Sequence, residues 1–166
     1  LFIMDKTNLL PFVTIGIPIY NGERFIEQAI HSVLNQTFKD FELIVTDDGS
    51  TDKTVDIIRS FDDTRIKLVV DGENHGISYR LNQQIDIAKG KYFVRMDADD
   101  IMFPDRVEKQ VNYLEEHHDI DVVGSLAIII DDENNVIGER DYMNIDKRNS
   151  PLWYFKNARF IHPTVT

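Results

Sequence analysis

The stretch YFVRMDADDIMFP, residues 92–104, places Asp97, Asp99 and Asp100 directly after an apolar run that reads as a buried strand. Carboxylates crowded in this way repel one another unless a cation or a helix cap takes up the charge. One of them can cap a following helix, which leaves the others unexplained. Hard divalent cations such as Mg2+ and Mn2+ take oxygen ligands and usually share them with substrate phosphates. An Asp-x-Asp at a strand exit therefore suits an ion that bridges protein to a diphosphate. A calcium loop fails on the same residues. Asp97, Asp99 and Glu108 match its first, third and twelfth positions, but Ile101 holds the fifth, Met102 stands where glycine is needed, and Pro104 interrupts.

Two further polar clusters follow apolar runs, YNGE from Tyr20 and DDGST from Asp47. DDGST alone reads equally well as a turn with a helix cap, because Asp, Gly and Ser are turn and cap formers. Neither GxxxxGK[ST] nor a GxGxxG after the first strand is present. Without a phosphate-cradling loop, a metal is the better diphosphate handle.

The elements that must position these clusters alternate along the chain. FVTIGIPIY (12–20) is a strand ending at Asn21-Gly22, and Phe25, Ile26, Ala29, Ile30, Val33 and Leu34 form an apolar stripe on a helix over 23–35. FELIVT (41–46) is a second strand, and Ser50 or Thr51 is expected to cap a helix carrying Val55, Ile58 and Phe61. IKLVV (66–70) is a third strand, GENHG a loop, and Ile77, Leu81, Ile85 and Ala88 mark the inward stripe of a third helix stopped by Gly90. KYFVRM is a fourth strand; a helix with Val107, Val111 and Leu114 inward follows Pro104. VVGSLAIII and VIG, joined by DDENN, read as a hairpin whose acidic turn is not a metal site. Alternating strands and helices imply a mostly parallel sheet with helices on both faces. In such sheets ligands bind beyond the carboxyl ends of the strands, where all three clusters fall.

Composition bounds the rest. A net charge of −11 argues against nucleic acid as a partner, though a metal can reverse the local sign for a small phosphate ligand. With no cysteine, disulfides are excluded. No apolar run approaches the ~20 residues of a membrane span. The opening residues LFIMDKTNLLPF do not read as a signal peptide, and a start at Leu1 reads as a fragment or an expression scar.

The ordered set IPIYN, SVLNQTF, DDGSTDKT and DADD, over about residues 12–125, resembles the family 2 glycosyltransferases of the GT-A fold, with a weaker likeness at FIHPTV. The resemblance implies a Rossmann-like nucleotide-sugar-binding domain over 12–140, a short extension over 1–11 and the start of an acceptor-side region over 141–166. It implies transfer of a sugar, with inversion, from a nucleotide-diphosphate donor of the UDP-sugar kind to an acceptor hydroxyl. By position, Pro18, Tyr20, Asn21 and Glu23 would line the nucleoside pocket, Asp48 would bond the base and Arg80 would lie near the nucleotide. Asp97 would lie by the ribose, and Asp99 and Asp100 would hold Mn2+ or Mg2+. The general base would lie on a later acidic motif, beyond Thr166. A saccharide or lipid-linked saccharide acceptor would place the protein in the cytoplasm, at the cytoplasmic face of a membrane without spanning it.

Other readings stay open. One is a nucleotidyltransferase that makes nucleotide sugars; it would want a Gly-rich basic loop where IYNGERF offers only Gly22 and Arg24. Another is a non-catalytic nucleotide-sugar-binding module. His162 could touch acceptor or diphosphate, His75 could border the nucleotide, and Trp153 could stack on an acceptor. Each also reads as a structural residue, while His117 and His118 read as solvated.

Overall fold

The computed structural model describes residues 10–140 and residue 166. Trp153, His162, Pro163 and most of the two expected terminal segments lie outside the described residues. Four strands form one parallel sheet: β1 (Val13–Ile19), β2 (Phe41–Asp47), β3 (Ile66–Val70) and β4 (Tyr92–Arg95), in the order β3-β2-β1-β4. Helices α1 (Ile26–Leu34), α2 (Thr54–Arg59) and α3 (Ile77–Ile87) connect them, and α4 (Arg106–Glu116) follows β4. A hairpin of β5 (Ala127–Ile130) and β6 (Val136–Arg140) follows α4. Its turn is built by Asp131, whose Oδ1 accepts the Glu133 and Asn135 amides, as the DDENN reading expects.

Strand alternation divides the sheet chemically. The odd residues of β1 and β2 (Val13, Ile15, Ile17, Ile19; Phe41, Leu43, Val45) join Ile26, Ala29, Ile30 and Val33 of α1, Ile58 of α2, and Val107 and Val111 of α4 in one core. Each fully buried Val, Ile or Leu there contributes about 1.5–3 kcal/mol. The even residues present Thr14, Gly16, Glu42 and Thr46 to the other face, where Gln84 of α3 donates to Thr46 Oγ1 at 2.7 Å.

That polar face explains one correction. The stripe expected to point inward from α3 does not: Ile77 is 55 % and Ile85 57 % exposed, and Arg80 and Gln84 are the fully buried residues. A helix turns to the sheet whatever side chains the sheet can satisfy. Here the sheet offers hydroxyls and carboxylates, so polar residues face inward. A second correction concerns α2, which starts at Thr54 with no side-chain cap from Ser50 or Thr51. Asp52 Oδ1 instead accepts the Thr54 amide at 3.0 Å, and Ser50 and Thr51 bond to Asn21.

Candidate active site

Chain order reverses at β1: β2 and β3 lie to one side, β4 to the other. This is where an open parallel sheet leaves a crevice at its carboxyl edge. Pro18 helps to open it. Gly16 O accepts the Met96 amide, so alternate residues of β1 turn towards β4. The register with β4 ends at Gly16 and Arg95, so the amide hydrogen that proline lacks would face a strand no longer paired there. Tyr20, beyond the strand, is 54 % exposed.

The loop after β1 is fastened to the loop after β2. Asn21 adopts φ 49°, a left-handed conformation that asparagine tolerates. Its Oδ1 accepts the Thr51 amide at 2.8 Å. The amides of Asn21, Gly22 and Glu23 donate to Ser50 Oγ, Thr54 Oγ1 and Asp52 Oδ2 at 2.8–3.1 Å. Glu23 Oε2 in turn accepts the Lys53 amide at 2.9 Å. These amides are spent on protein, so the loop is no phosphate cradle. Asn21 and Glu23 shape the rim by fixing its backbone. Asp132, in the hairpin turn, reaches the same rim through Arg24 at 2.8 Å, with both side chains exposed.

Asp48 is buried at the end of β2. Its carboxylate accepts the amides of His75 at 2.8 Å and Gly76 at 3.0 Å, and the Arg80 Nε–H at 2.9 Å. Burial opposes its charge, but these donors outweigh burial and hold the carboxyl below its usual range. All five Arg80 N–H groups are engaged. Beyond Asp48 they serve both oxygens of Asp71, Gln83 Oε1 and the Glu73 carbonyl. Arg80 therefore pins the loop over residues 71–76 beneath the crevice and has no donor left to give a ligand.

At the end of β4, Asp99 is exposed and Asp97 and Asp100 are half-buried. Asp97 Oδ1 accepts from Arg95 Nη2 at 2.6 Å. Burial, then the charges of Asp97 and Asp99, push the Asp100 carboxyl up to about 6; Arg106 and Arg95 work against the rise. Arg106 is itself lowered to about 10 by burial, and its Nη2 donates to the Arg95 carbonyl at 3.1 Å. The cluster is thus short of positive charge and offers only hard oxygen donors, which fits Mg2+ or Mn2+. Among the described residues no three His, Asp or Glu side chains come together as a ready-made metal cage.

The topology thus brings Pro18, Tyr20, Asn21, Glu23, Asp48, Asp97, Asp99 and Asp100 to one sheet edge, with Arg80 below it. Sequence reasoning missed Arg95, Asp52 and Asp47. Asp47 Oδ2 accepts the Gly49 and Ser50 amides at 3.1 and 3.0 Å, while its buried Oδ1 has no partner. The signal for Arg95 was available: a charged residue in an otherwise apolar strand is buried only with a partner. The His75 and Tyr79 rings lie 4.3 Å apart between centroids, tilted by 33°. His117, expected in solvent, is partly exposed and stacks on the exposed Tyr113 at 4.1 Å.

Comparison with known proteins shows the family and the fold. The sequence profile described as Glycosyl transferase family 2 matches residues 14–166, and the chain belongs to that family. An uncharacterized glycosyltransferase of Haemophilus influenzae is 41 % identical over 145 residues, covering 86 % of this chain and 45 % of the relative. The putative glycosyltransferase EpsE of Bacillus subtilis is 37 % identical over 158 residues, covering 93 % and 55 %. The chain thus spans about half the length of the curated relatives it matches.

Among solved structures, the mannosyltransferase PcManGT of Pyrobaculum calidifontis, in complex with GDP-Man and Mn2+, superposes with a TM-score of 0.61 at 27 % identity, over 74 % of this chain and 36 % of that one. TarS 1-349 of S. aureus in complex with UDP-GlcNAc gives 0.61 at 25 % identity, over 71 % and 34 %. Both are GT-A glycosyltransferases, and the fold described above is theirs.

Proposed function

We propose that the full-length protein transfers a sugar, with inversion, from a nucleotide-diphosphate donor to the hydroxyl of a saccharide or lipid-linked saccharide. The observation that carries this reading is the carboxylate cluster at the end of β4, beside the crevice between β1 and β4. Pro18 and the exposed Tyr20 would form the wall against the nucleoside, on a rim fixed by Asn21 and Glu23. Asp48 would meet the base on one side while Arg80 and the His75 and Gly76 amides hold it on the other. Asp97 would accept from the ribose. Asp99 and Asp100 would hold Mn2+ or Mg2+, which when bound supplies Lewis-acid stabilisation of a leaving diphosphate. No residue of this chain is assigned as the base that takes the acceptor's proton.

UDP-sugars are the expected donors, although PcManGT was solved with a GDP-sugar. A lipid-linked acceptor would put the protein at the cytoplasmic face of a membrane, and no helix among the described residues is long and apolar enough to cross one. The nucleotidyltransferase alternative is disfavoured because the loop after β1 spends its amides on Ser50, Asp52 and Thr54.

The test is to incubate the full-length protein with a panel of nucleotide sugars and Mn2+, with and without EDTA, and to measure nucleotide release. Release from one donor that EDTA abolishes supports the transferase. Binding without release from any donor, with acceptor saccharides supplied, supports the non-catalytic module instead.

A further inference from the structure

In the parallel register Arg95 stands opposite Gly16, and its side chain is only 7 % exposed. Nη2 donates to Asp97 Oδ1 at 2.6 Å, while Nε and Nη1 are buried without a partner. The backbone is held from behind, since the Arg95 carbonyl accepts from Arg106 Nη2. On the same face, Gln84 and Phe93 close over Gly16. A Cβ there would stand 2.5 Å from Gln84 Oε1, itself a buried acceptor without a partner.

Arg80 and Arg95 are both buried arginines beside a carboxylate of the candidate site, but they are built differently. Arg80 satisfies every N–H within the protein, as a residue that stabilises the fold should. Arg95 makes one ion pair and leaves two kinds of buried N–H unpaired, which is unfavourable for stability. It is well made for another purpose. A short charge-assisted bond from a rigid, desolvated donor fixes the orientation of the acceptor it reaches. With Oδ1 of Asp97 fixed in this way, Oδ2 is left to accept from a ligand, and the side chain is 31 % exposed.

We propose that Arg95 is a positioning residue that orients Asp97 as a ribose-selective acceptor, acting through that carboxylate without touching the donor. The inference rests on the reading of Asp97 as the ribose partner. The single Nη2 bond comes from a planar, pre-organised guanidinium, and the flexible ammonium of a lysine would hold the carboxylate in a less fixed direction.

The test compares the affinity of the full-length protein for UDP and for 2′,3′-dideoxy-UDP in the presence of Mn2+, by calorimetry. Wild type should prefer UDP by about tenfold or more, the scale of one hydrogen bond to a charged group. Asp97→Asn and Arg95→Met should each bring the ratio close to one, and Arg95→Lys should recover only part of it. Thermal melts confirm that each variant is folded; if Arg95→Met is not, Arg95→Gln is read in its place. A ratio lost in Asp97→Asn and kept in folded Arg95→Met overturns the inference about Arg95 alone. A wild type without ribose preference, or an Asp97→Asn that retains it, overturns the reading of Asp97 and this inference with it.

Discussion

Arg80 Nε lies 2.9 Å from Asp48 Oδ1, with the Arg80 side chain fully buried. The same guanidinium grips both oxygens of Asp71. One residue of α3 therefore ties the end of β2 to the loop that follows β3. Removing one partner of a buried pair leaves an uncompensated charge, at a cost of about 3–5 kcal/mol. Arg80→Met should lower unfolding stability by an amount on that scale, measured by urea denaturation. Arg80→Lys should recover little, because one ammonium cannot span Asp48 and Asp71 in a fork. A loss no larger than that of an ordinary surface substitution would show that the pair carries no structural weight.

Acid should weaken the fold through Glu42 and Asp48. For Glu42, burial opposes ionisation, but Lys67, Thr14 Oγ1 and the Lys89 amide outweigh it and hold the carboxyl below its usual range. A carboxyl lowered in the folded state stabilises fully above its unfolded pKa, and that stability disappears as pH falls through the folded value. These two groups should therefore contribute evenly from neutrality to about pH 5 and progressively less below about pH 4. Glu42→Gln should be less stable at pH 7 and decline less steeply, as urea midpoints between pH 7 and pH 3 would reveal. Parallel curves for the two proteins would contradict this.

The core face of the sheet was legible because its rule is simple. Hydrophobic alternation in β1 and β2, and the helical stripes of α1 and α4, each point to one partner surface. The other face followed a rule that periodicity does not encode. Ile77, Leu81, Ile85 and Ala88 form a sound helical stripe, yet Thr46 and Asp48 determine that Gln84 and Arg80 turn inward. The carboxylates of the candidate site stood out in the sequence, because Asp97, Asp99 and Asp100 have few structural uses at a strand end. The site's supports stood out less: Asp52 reaches Glu23 across two loops that only the fold brings together, while Arg95 and Asp47 pair with residues two or three positions away in contacts that periodicity does not encode.

Gly90 was expected only as a helix stop, and its environment shows a second reason for glycine. A Cβ there would meet the Val13 carbonyl carbon at 2.5 Å, against backbone that cannot give way. At Gly16 the nearest atoms are the flexible ends of Gln84 and Phe93. Gly16→Ala should cost about 1–3 kcal/mol as an overpacked site, and Gly90→Ala should lie at or beyond the top of that range. Thermal unfolding of the two variants side by side gives the order; the reverse order would contradict the close approach at Gly90.

The central claim is that the carboxylates after β4 hold a cation on a nucleotide diphosphate. The most direct measurement is calorimetric titration of UDP and GDP into full-length wild type and Asp99→Ala, with Mn2+ and with EDTA. Wild type should bind one nucleotide only with Mn2+. Asp99→Ala, with an unchanged melting temperature, should lose more than the roughly tenfold to hundredfold that follows loss of even a supporting partner of a metal ligand. Equal, Mn2+-dependent affinity in wild type and Asp99→Ala would contradict the assignment.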